Sequence, residues 1–141
     1  MSIAPVIEHR SELKLAYARA RLAEIEQMRQ VYLASLDGMP QREIARFAHL
    51  SQPSVHRLIV RARALSAEKE SVEEIVLRRF VEGGSSDAMV EQLVASENWV
   101  PRVVDPVDGV LSEDSQQELE SLCEDGFLSE EEIDRILEAR D

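Results

Sequence analysis

The sequence predicts an all-α protein in two parts, a three-helix unit with a long first helix and, after it, an acidic helical region. The first observation behind this prediction is that aliphatic residues recur at spacings of three and four, the period of a helix buried on one face. The second is composition, because aromatic residues make up only 4% of the chain and five Gly and five Pro are too few for an all-β protein. The third is that helix-capping residues stand where the apolar period restarts.

Charge divides the chain into the same two parts. The formal net charge is −12, but residues 1–66 hold ten Lys and Arg against six Asp and Glu, whereas residues 67–141 hold six against twenty-two. The first part is therefore +4 and can approach phosphate, while the second is −16 and is repelled by it. We expect a domain over residues 1–66, a polar hinge at residues 67–70 and an acidic effector or partner-binding region over residues 71–141.

One long helix is predicted from about Ser11 to Leu36, after a short arm without clear periodicity. Gly38 ends it, in the position after a helix that favours a positive φ. A three-helix unit needs only the second half of this helix to cover its core. The apolar face of the first half is surplus, and it packs either on a second copy of the chain or on the chain's own C-terminal half. We favour a homodimer that forms through Leu15 and Leu22.

The stretch over residues 41–60 has the pattern of a helix, a tight turn and a second helix. Ser51 is a good N-cap for the second helix, and Pro53 lies in its first turn, where the missing N–H costs little. His49 occupies the turn. Apolar residues at helical spacing form the inward stripes of the two helices, namely Ile44, Ala45, Ala48, Leu50, Val55, Leu58 and Ile59.

This stretch resembles the helix-turn-helix of bacterial transcription regulators and of the DNA-binding end of sigma factors. Residues 41–45 (QREIA) are similar to the opening of the first helix, and residues 51–55 (SQPSV) to the opening of the recognition helix. Such motifs usually carry Gly at the turn, where φ is positive, and this chain has His49. Because His enters the left-handed region more readily than most residues, we expect a strained but permitted turn. The resemblance implies sequence-specific binding to double-stranded DNA.

The polar side chains of the second helix are the candidate DNA contacts. Arg57 can pair bidentately with guanine and Gln52 with adenine, and Pro53 can touch a thymine methyl group. A plain solvated helix face is the alternative, but these residues follow a cap-and-proline start in the only net-basic part of the chain. We expect base contacts from Gln52, Pro53, Ser54, His56 and Arg57, and phosphate contacts from Gln41, Arg42, Ser51, Arg61 and Arg63.

Four helices and one extended segment are predicted in the acidic half. Three of these helices begin with Ser followed three residues later by Glu, the capping-box pattern. Pro101 and Pro106 exclude a continuous helix through the segment between the second and third helices. The predicted elements are a helix from Ser71 to Gly83, a helix capped by Ser85 or Ser86, an extended segment from Asn98 to Gly109 anchored by Trp99, and helices over Ser115–Glu124 and Ser129–Ala139.

The acidic half is similar, more loosely, to small actinobacterial helix-turn-helix proteins, some of which are antitoxins. The similarity comprises a helical hairpin, a Trp-Pro loop and the acidic ending over residues 126–132 (GFLSEEE). It implies an autoregulating repressor of the antitoxin type. The charge alone suits a basic partner bound through residues 71–141, which would be a toxin, a polymerase subunit or the protein's own DNA-binding surface. A solubilising region without a specific partner is the alternative.

Catalytic and metal-binding patterns are weak in this sequence. The chain has no phosphate-binding Gly loop, no zinc-ligand spacing and no nucleophile motif. Residues 121–132 have the Gly and Glu spacing of a calcium loop, but Cys123 at its third position is a poor ligand for a hard cation. We expect no enzyme activity, no cofactor and no bound metal. The alternative function is a helical adaptor whose helix-turn-helix only packs.

Three features of the sequence indicate where in the cell the protein is located. No apolar run approaches membrane-spanning length, and the first residues lack the basic-then-apolar pattern of a signal peptide. The single cysteine, Cys123, fits a reducing compartment. We expect a soluble cytoplasmic protein without membrane contact.

Overall fold

The computed structural model describes residues 4–107, 109–110 and 114–141, and almost all of its regular structure is helical. The all-α prediction is confirmed, and the extended segment after the fifth helix adds one short antiparallel hairpin in which Val104 lies opposite Val110. The elements are α1 (Ala4–Leu36), α2 (Gln41–Ala48), α3 (Gln52–Leu65), α4 (Val72–Glu82), α5 (Ser86–Val94), β1 (Val104–Asp105), β2 (Gly109–Val110), α6 (Ser115–Glu124) and α7 (Glu130–Arg140).

The chain forms two compact units. One is Ala20–Glu70, called here the HTH unit, and the other joins Ser71–Asp141 to the described residues of Met1–Arg19, called here the acidic unit. The boundary after Glu70 coincides with the end of the predicted hinge. The boundary after Arg19 falls inside α1 and differs from the predicted domain over residues 1–66. The first half of α1 groups with the acidic unit because its side chains pack on α4 and on the turn between α6 and α7.

Helix α1 also begins earlier than its periodicity predicted. It starts at Ala4 instead of about Ser11, so the described part of the predicted arm is helical. Pro5 is compatible with this start because it lies in the first turn, where no N–H is needed.

In the HTH unit, local sequence sets the two ends of the turn. His49 follows α2 with φ 56° and ψ 43°, so the predicted left-handed conformation is confirmed. The Ser51 side chain accepts a hydrogen bond from the backbone N–H of Ser54, which makes it the predicted N-cap of α3, and Pro53 lies in the first turn. The core of the unit is closed by the second half of α1 together with α2 and α3, and its buried residues are Val31, Tyr32, Ile44, Ala45, Val55, Ile59, Ala62 and Ala67.

The predicted hinge is tied to α1. Ser66 ends α3 in the left-handed conformation, with φ 51°, and Ala67 is buried in the core of the HTH unit. Arg29 on α1 donates from Nε to the carbonyl of Ala67 at 2.8 Å and from Nη2 to that of Lys69 at 3.3 Å. Residues 67–70 are therefore an ordered connection held by a side chain that lies thirty-eight positions earlier in the chain than Ala67.

The acidic unit has an aliphatic core surrounded by capped helices. The predicted capping boxes of Ser71 with Glu74 and of Ser129 with Glu132 are present, and Ser85 is the residue that caps α5. The largest apolar side chains that are almost fully buried come from four helices: Val72, Val76, Leu77, Met89, Leu93, Leu119 and Ile136.

The start of α6 differs from the prediction. Asp114, not Ser115, is its N-cap and accepts from the backbone N–H of Gln117 at 2.7 Å. Ser115 instead accepts from the backbone N–H of Val100 at 2.6 Å and so fastens the segment that follows α5. Trp99 in that segment lies under the Arg140 guanidinium, with 4.3 Å between the guanidinium carbon and the ring centroid, in keeping with its predicted role as an anchor.

Candidate nucleic-acid interface

The outward face of α3 is the centre of the candidate interface. Val55, Ile59 and Ala62 point into the core, so the helical period turns Pro53 and Arg57 away from it. Four of the predicted base-contacting residues are exposed, and the fifth, Ser54, is half-buried. The exposed residues are Gln52, Pro53, His56 and Arg57.

A short hydrogen-bond chain connects the cap of α3 to Arg57. The Ser51 hydroxyl lies 2.8 Å from that of Ser54, and Arg57 Nη2 donates to the Ser54 hydroxyl at 3.1 Å. The Ser54 hydroxyl is therefore engaged by its own helix. It holds the guanidinium of Arg57 one turn away from the cap, which restricts the rotamers of a long side chain before any ligand is present.

The predicted phosphate-contacting residues lie on both helices of the motif. Gln41 and Arg42 form the first turn of α2, which follows Pro40 and has no side-chain cap. Arg61 and Arg63 lie in the second half of α3, and all four side chains are exposed. The fifth residue, Ser51, uses its hydroxyl as the helix cap. Arginine on exposed helix faces suits phosphate oxygen, which accepts from several N–H groups at once.

Two parts of this surface were missed by the sequence reasoning. Val60 is 51% exposed although it is an aliphatic residue directly after the buried Ile59, and the helical period places it close to Arg57 on the outward face. Arg46 on α2 lies over the ring of Phe47, 5.6 Å from its centroid, and Phe47 is 66% exposed. A helical-wheel projection of α3 would have identified Val60, because the position is opposite Val55 and Ala62.

The two residues predicted to form a dimer interface both lie on α1. Leu15 and Leu22 are half-buried within the single chain. The apolar side chains that α1 exposes are instead at other positions, since Val6, Leu13 and Tyr17 are 46%, 70% and 51% exposed. Dimerisation through Leu15 and Leu22 stays a prediction, and the exposed stripe offers a different face for it.

The carboxylates whose pKa values are shifted, Asp114 and Glu132, lie in the acidic unit and not in the candidate interface. The hydrogen bond from Arg102 is the main reason that the pKa of Asp114 lies below its ordinary value, against the opposing effect of burial. Burial acts to raise the pKa of Glu132, but hydrogen bonds from Ser86 and from the backbone of Ser129, together with the charge of Arg79, leave it lowered. Both groups stabilise helix starts as anions.

The calcium-loop spacing has another explanation in the structure. Glu132, which would be the bidentate ligand, accepts hydrogen bonds from Ser86, Arg79 and Ser129. Within residues 4–107, 109–110 and 114–141, no three His, Cys, Asp or Glu side chains are grouped so that they could hold a metal ion. Cys123 is a half-buried free thiol.

Comparison with known families identifies one segment. Residues 26–65 match the family described as Sigma-70, region 4; this match covers less than a third of the chain and comprises the last third of α1, α2 and α3. The resemblance to a helix-turn-helix regulator is thereby confirmed, and the match supports DNA-binding regulation as the role of the HTH unit. Neither a curated protein nor a solved structure matches the chain. None of the described helices has the length and apolar character needed to cross a membrane.

Proposed function

We propose that this protein is a sequence-specific, double-stranded-DNA-binding transcription regulator that acts by binding and not by catalysis. The observation that carries the proposal is the outward face of α3 in the segment similar to Sigma-70, region 4, where Arg57 and its neighbours are exposed. The single cysteine supports a cytoplasmic location, where thiols stay reduced.

In this proposal α3 enters the major groove. Arg57 pairs with a guanine through O6 and N7, and Gln52 with an adenine. His56 reads a neighbouring base edge, while Pro53 and Val60 offer apolar contact to thymine methyl groups. Ser54 acts mainly through Arg57, because its hydroxyl holds that guanidinium.

The phosphate contacts fix the position of the protein without reading sequence. Arg42 at the start of α2 and Arg61 and Arg63 on α3 are exposed and suit the backbone on the two sides of the groove. Arg46 joins this group as a contact that the sequence did not predict.

A homodimer completes the proposed DNA complex, because one recognition helix reads only a few base pairs. A two-fold dimer would bind an inverted repeat with half-sites about one helical turn apart. Sedimentation at micromolar concentration tests this, with polar substitutions at Leu15 and Leu22 compared with polar substitutions at Leu13 and Tyr17. A chain that stays monomeric on its operator contradicts the dimer.

The acidic unit is proposed to bind a basic protein partner. Residues 71–141 contain twenty Asp and Glu against five Arg, and this excess suits a partner of opposite charge. In the most concrete form the protein is an autoregulating antitoxin-type repressor, and the partner is a toxin. A neighbouring, cotranscribed gene for a small basic protein would support this form.

A helical adaptor without DNA binding is the second candidate. Large exposed apolar side chains on the HTH unit favour it, since Phe47 and Leu65 are 66% and 53% exposed. Retention on DNA at low salt and release at high salt separate the two candidates, because only phosphate contacts give that dependence.

The deciding experiment for α3 compares matched arginines. Arg57→Ala should cost about 1–3 kcal/mol of affinity for an operator selected from random duplexes, and much less for non-specific DNA. Arg19→Ala removes an exposed arginine of α1 outside the interface and should leave both affinities unchanged. Equal and negligible losses for the two variants would contradict the proposed readout.

A further inference from the structure

Two aromatic rings of the acidic unit form a corner that already holds a cation. Phe80 of α4 and Phe127, in the turn between α6 and α7, meet edge to face with their centroids 4.9 Å apart and the planes at 89°. The Lys14 ammonium lies 5.7 Å from the Phe80 centroid and 5.6 Å from that of Phe127. It also donates to the carbonyl of Gly126 at 3.2 Å. Ring faces and a carbonyl together are a suitable environment for an ammonium group.

The fit around this ammonium depends on a glycine. Gly126 has φ +83°, and a Cβ built on it would lie 2.5 Å from Lys14 Nζ. Any larger residue would therefore displace the ammonium as well as strain the turn. We call Phe80, Gly126 and Phe127 the lysine site.

A second side chain of α1 supports the contact of Lys14. Tyr17, three residues later and on the same side of the helix, stacks on Phe127 with centroids 5.8 Å apart and planes at 25°. Tyr17 nevertheless remains 51% exposed, so the stacked contact covers only part of its ring. The lysine site therefore binds a helix that carries a lysine and, one turn later, an aromatic residue.

The lysine site lies at an open surface groove of about 510 Å³, lined by Phe80, Gly126 and Phe127 and also by Gly84, Leu128 and Ser129. The charged groups in its wall, Arg79 and Glu132, form an ion pair with each other. They therefore leave the ring faces and the Gly126 carbonyl as the groups that would select a ligand.

We propose that the lysine site is the docking site for a basic amphipathic helix of a protein partner, and that Lys14 and Tyr17 occupy it in the free protein. The net charge of residues 71–141 favours a basic ligand, and the segment found on the site shows which side chains fit it. This inference rests on the part of the proposed function that gives the acidic unit a basic partner. A partner helix would compete with the first half of α1, and α1 also supplies Val31 and Tyr32 to the core of the HTH unit.

The test uses the full chain and a labelled peptide of residues 4–23 as the probe. In the double variant Lys14→Gln, Tyr17→Ala the internal occupant is weakened, so the peptide should bind about tenfold more tightly than it binds the wild-type chain, as measured by fluorescence anisotropy. A peptide carrying Lys14→Gln should lose about tenfold in binding to the same double variant. Should the double variant not fold, as judged by its thermal melt, the single variant Lys14→Gln keeps the Tyr17 stack and serves for the same comparison.

Two glycines with a positive φ, Gly126 and Gly38, provide a matched pair of substitutions. Gly126→Ala, added to the double variant, should reduce peptide binding about tenfold because its Cβ would lie only 2.5 Å from the position that Lys14 Nζ occupies. Gly38 has φ +91° and nothing within 4 Å of a built Cβ, so Gly38→Ala imposes the same backbone strain away from the site and should leave peptide binding unchanged.

Three results would overturn the inference. One is a folded double variant that binds the peptide no better than the wild-type chain, and another is equal binding of the wild-type and Lys14→Gln peptides. The third is peptide binding to the double variant that does not change when Gly126→Ala is added. The assay contains no DNA, so its failure is distinguishable from the failure of the DNA titration that tests the proposed function.

Discussion

Helices α2 and α3 use arginine in the opposite way to residues 71–141. The five arginines of residues 71–141 are all engaged within the unit, through ion pairs with Glu74, Glu132, Asp114 and Asp87 and through the carbonyl groups and the indole that Arg140 contacts. On α2 and α3, by contrast, none of the five arginines forms an ion pair within the part of the chain that the structure describes. Those five are Arg42, Arg46, Arg57, Arg61 and Arg63.

This difference separates structural charge from charge that is available to a ligand. Three arginines of residues 71–141 pair with the buried carboxylates of Glu74, Glu132 and Asp114, and Arg140 bonds the end of α5, so their removal affects folding, whereas Arg135 pairs with the exposed Asp87. The arginines of α2 and α3 are exposed and have little to contribute to folding, because surface charges away from such partners rarely change stability by more than about 0.5 kcal/mol. Five arginines without an ion pair among the described residues, against one acidic residue, Glu43, on two adjacent helices, are instead suited to phosphate.

The largest effect that sharpens this comparison concerns stability. Arg79→Ala leaves Glu132 buried without its cation and should lower the free energy of unfolding by about 2 kcal/mol. Arg61→Ala should change it by less than about 0.5 kcal/mol. Urea unfolding followed by far-ultraviolet circular dichroism measures both. Similar losses for the two variants would remove the distinction between the units.

A smaller effect is expected at the turn of the HTH unit. His49→Gly removes the backbone strain of a non-glycine residue in the left-handed conformation and should therefore stabilise the protein by about 1 kcal/mol. His56→Gly places the same substitution inside α3 and should destabilise it by about 1 kcal/mol. The thermal melts of the two variants should therefore move in opposite directions from that of the wild type, and a shift in the same direction would contradict the account of the turn.

The smallest stability effect is expected from pH. The folded pKa of Asp114 lies below its unfolded value, so its contribution is present above about pH 4 and is lost as pH falls through the folded pKa. Glu132 acts in the same direction. Asp114→Asn keeps a capping side chain but removes the titrating charge, and it should flatten the acid limb of stability against pH. Fluorescence of Trp99, the only tryptophan, reports on this unit. An unaltered acid limb would contradict this role of Asp114.

Local sequence was sufficient to predict the starts of α3, α4 and α7 and the turn. Ser51, Ser71 and Ser129 cap the helices that they were predicted to cap, because a cap depends on residues only three positions away. The positive φ of His49 followed from the resemblance to helix-turn-helix motifs, which usually carry Gly at that turn. The outward face of α3 was predicted from the helical period, although Val60 was not included.

Contacts between distant residues were beyond such reasoning. Lys14 and Gly126 are 112 positions apart, and nothing in the periodicity of α1 indicates that its first half packs on the acidic unit. The sequence left that packing open beside dimerisation. The pairing of Arg102 with Asp114 likewise depends on the path of the segment after α5, and it moved the N-cap of α6 from Ser115 to Asp114.

The salt dependence of DNA binding tests the central claim that the exposed arginines of α2 and α3 face phosphate. Titration of the full chain with duplex DNA between about 50 and 200 mM salt should give a slope of log K against log salt of about −4 per bound protomer, for contacts from Arg42, Arg46, Arg61 and Arg63. Arg63→Ala should reduce the size of the slope by about one, and Arg135→Ala, from the acidic unit, should leave it unchanged. A slope near zero, or equal changes for Arg63→Ala and Arg135→Ala, would contradict the claim.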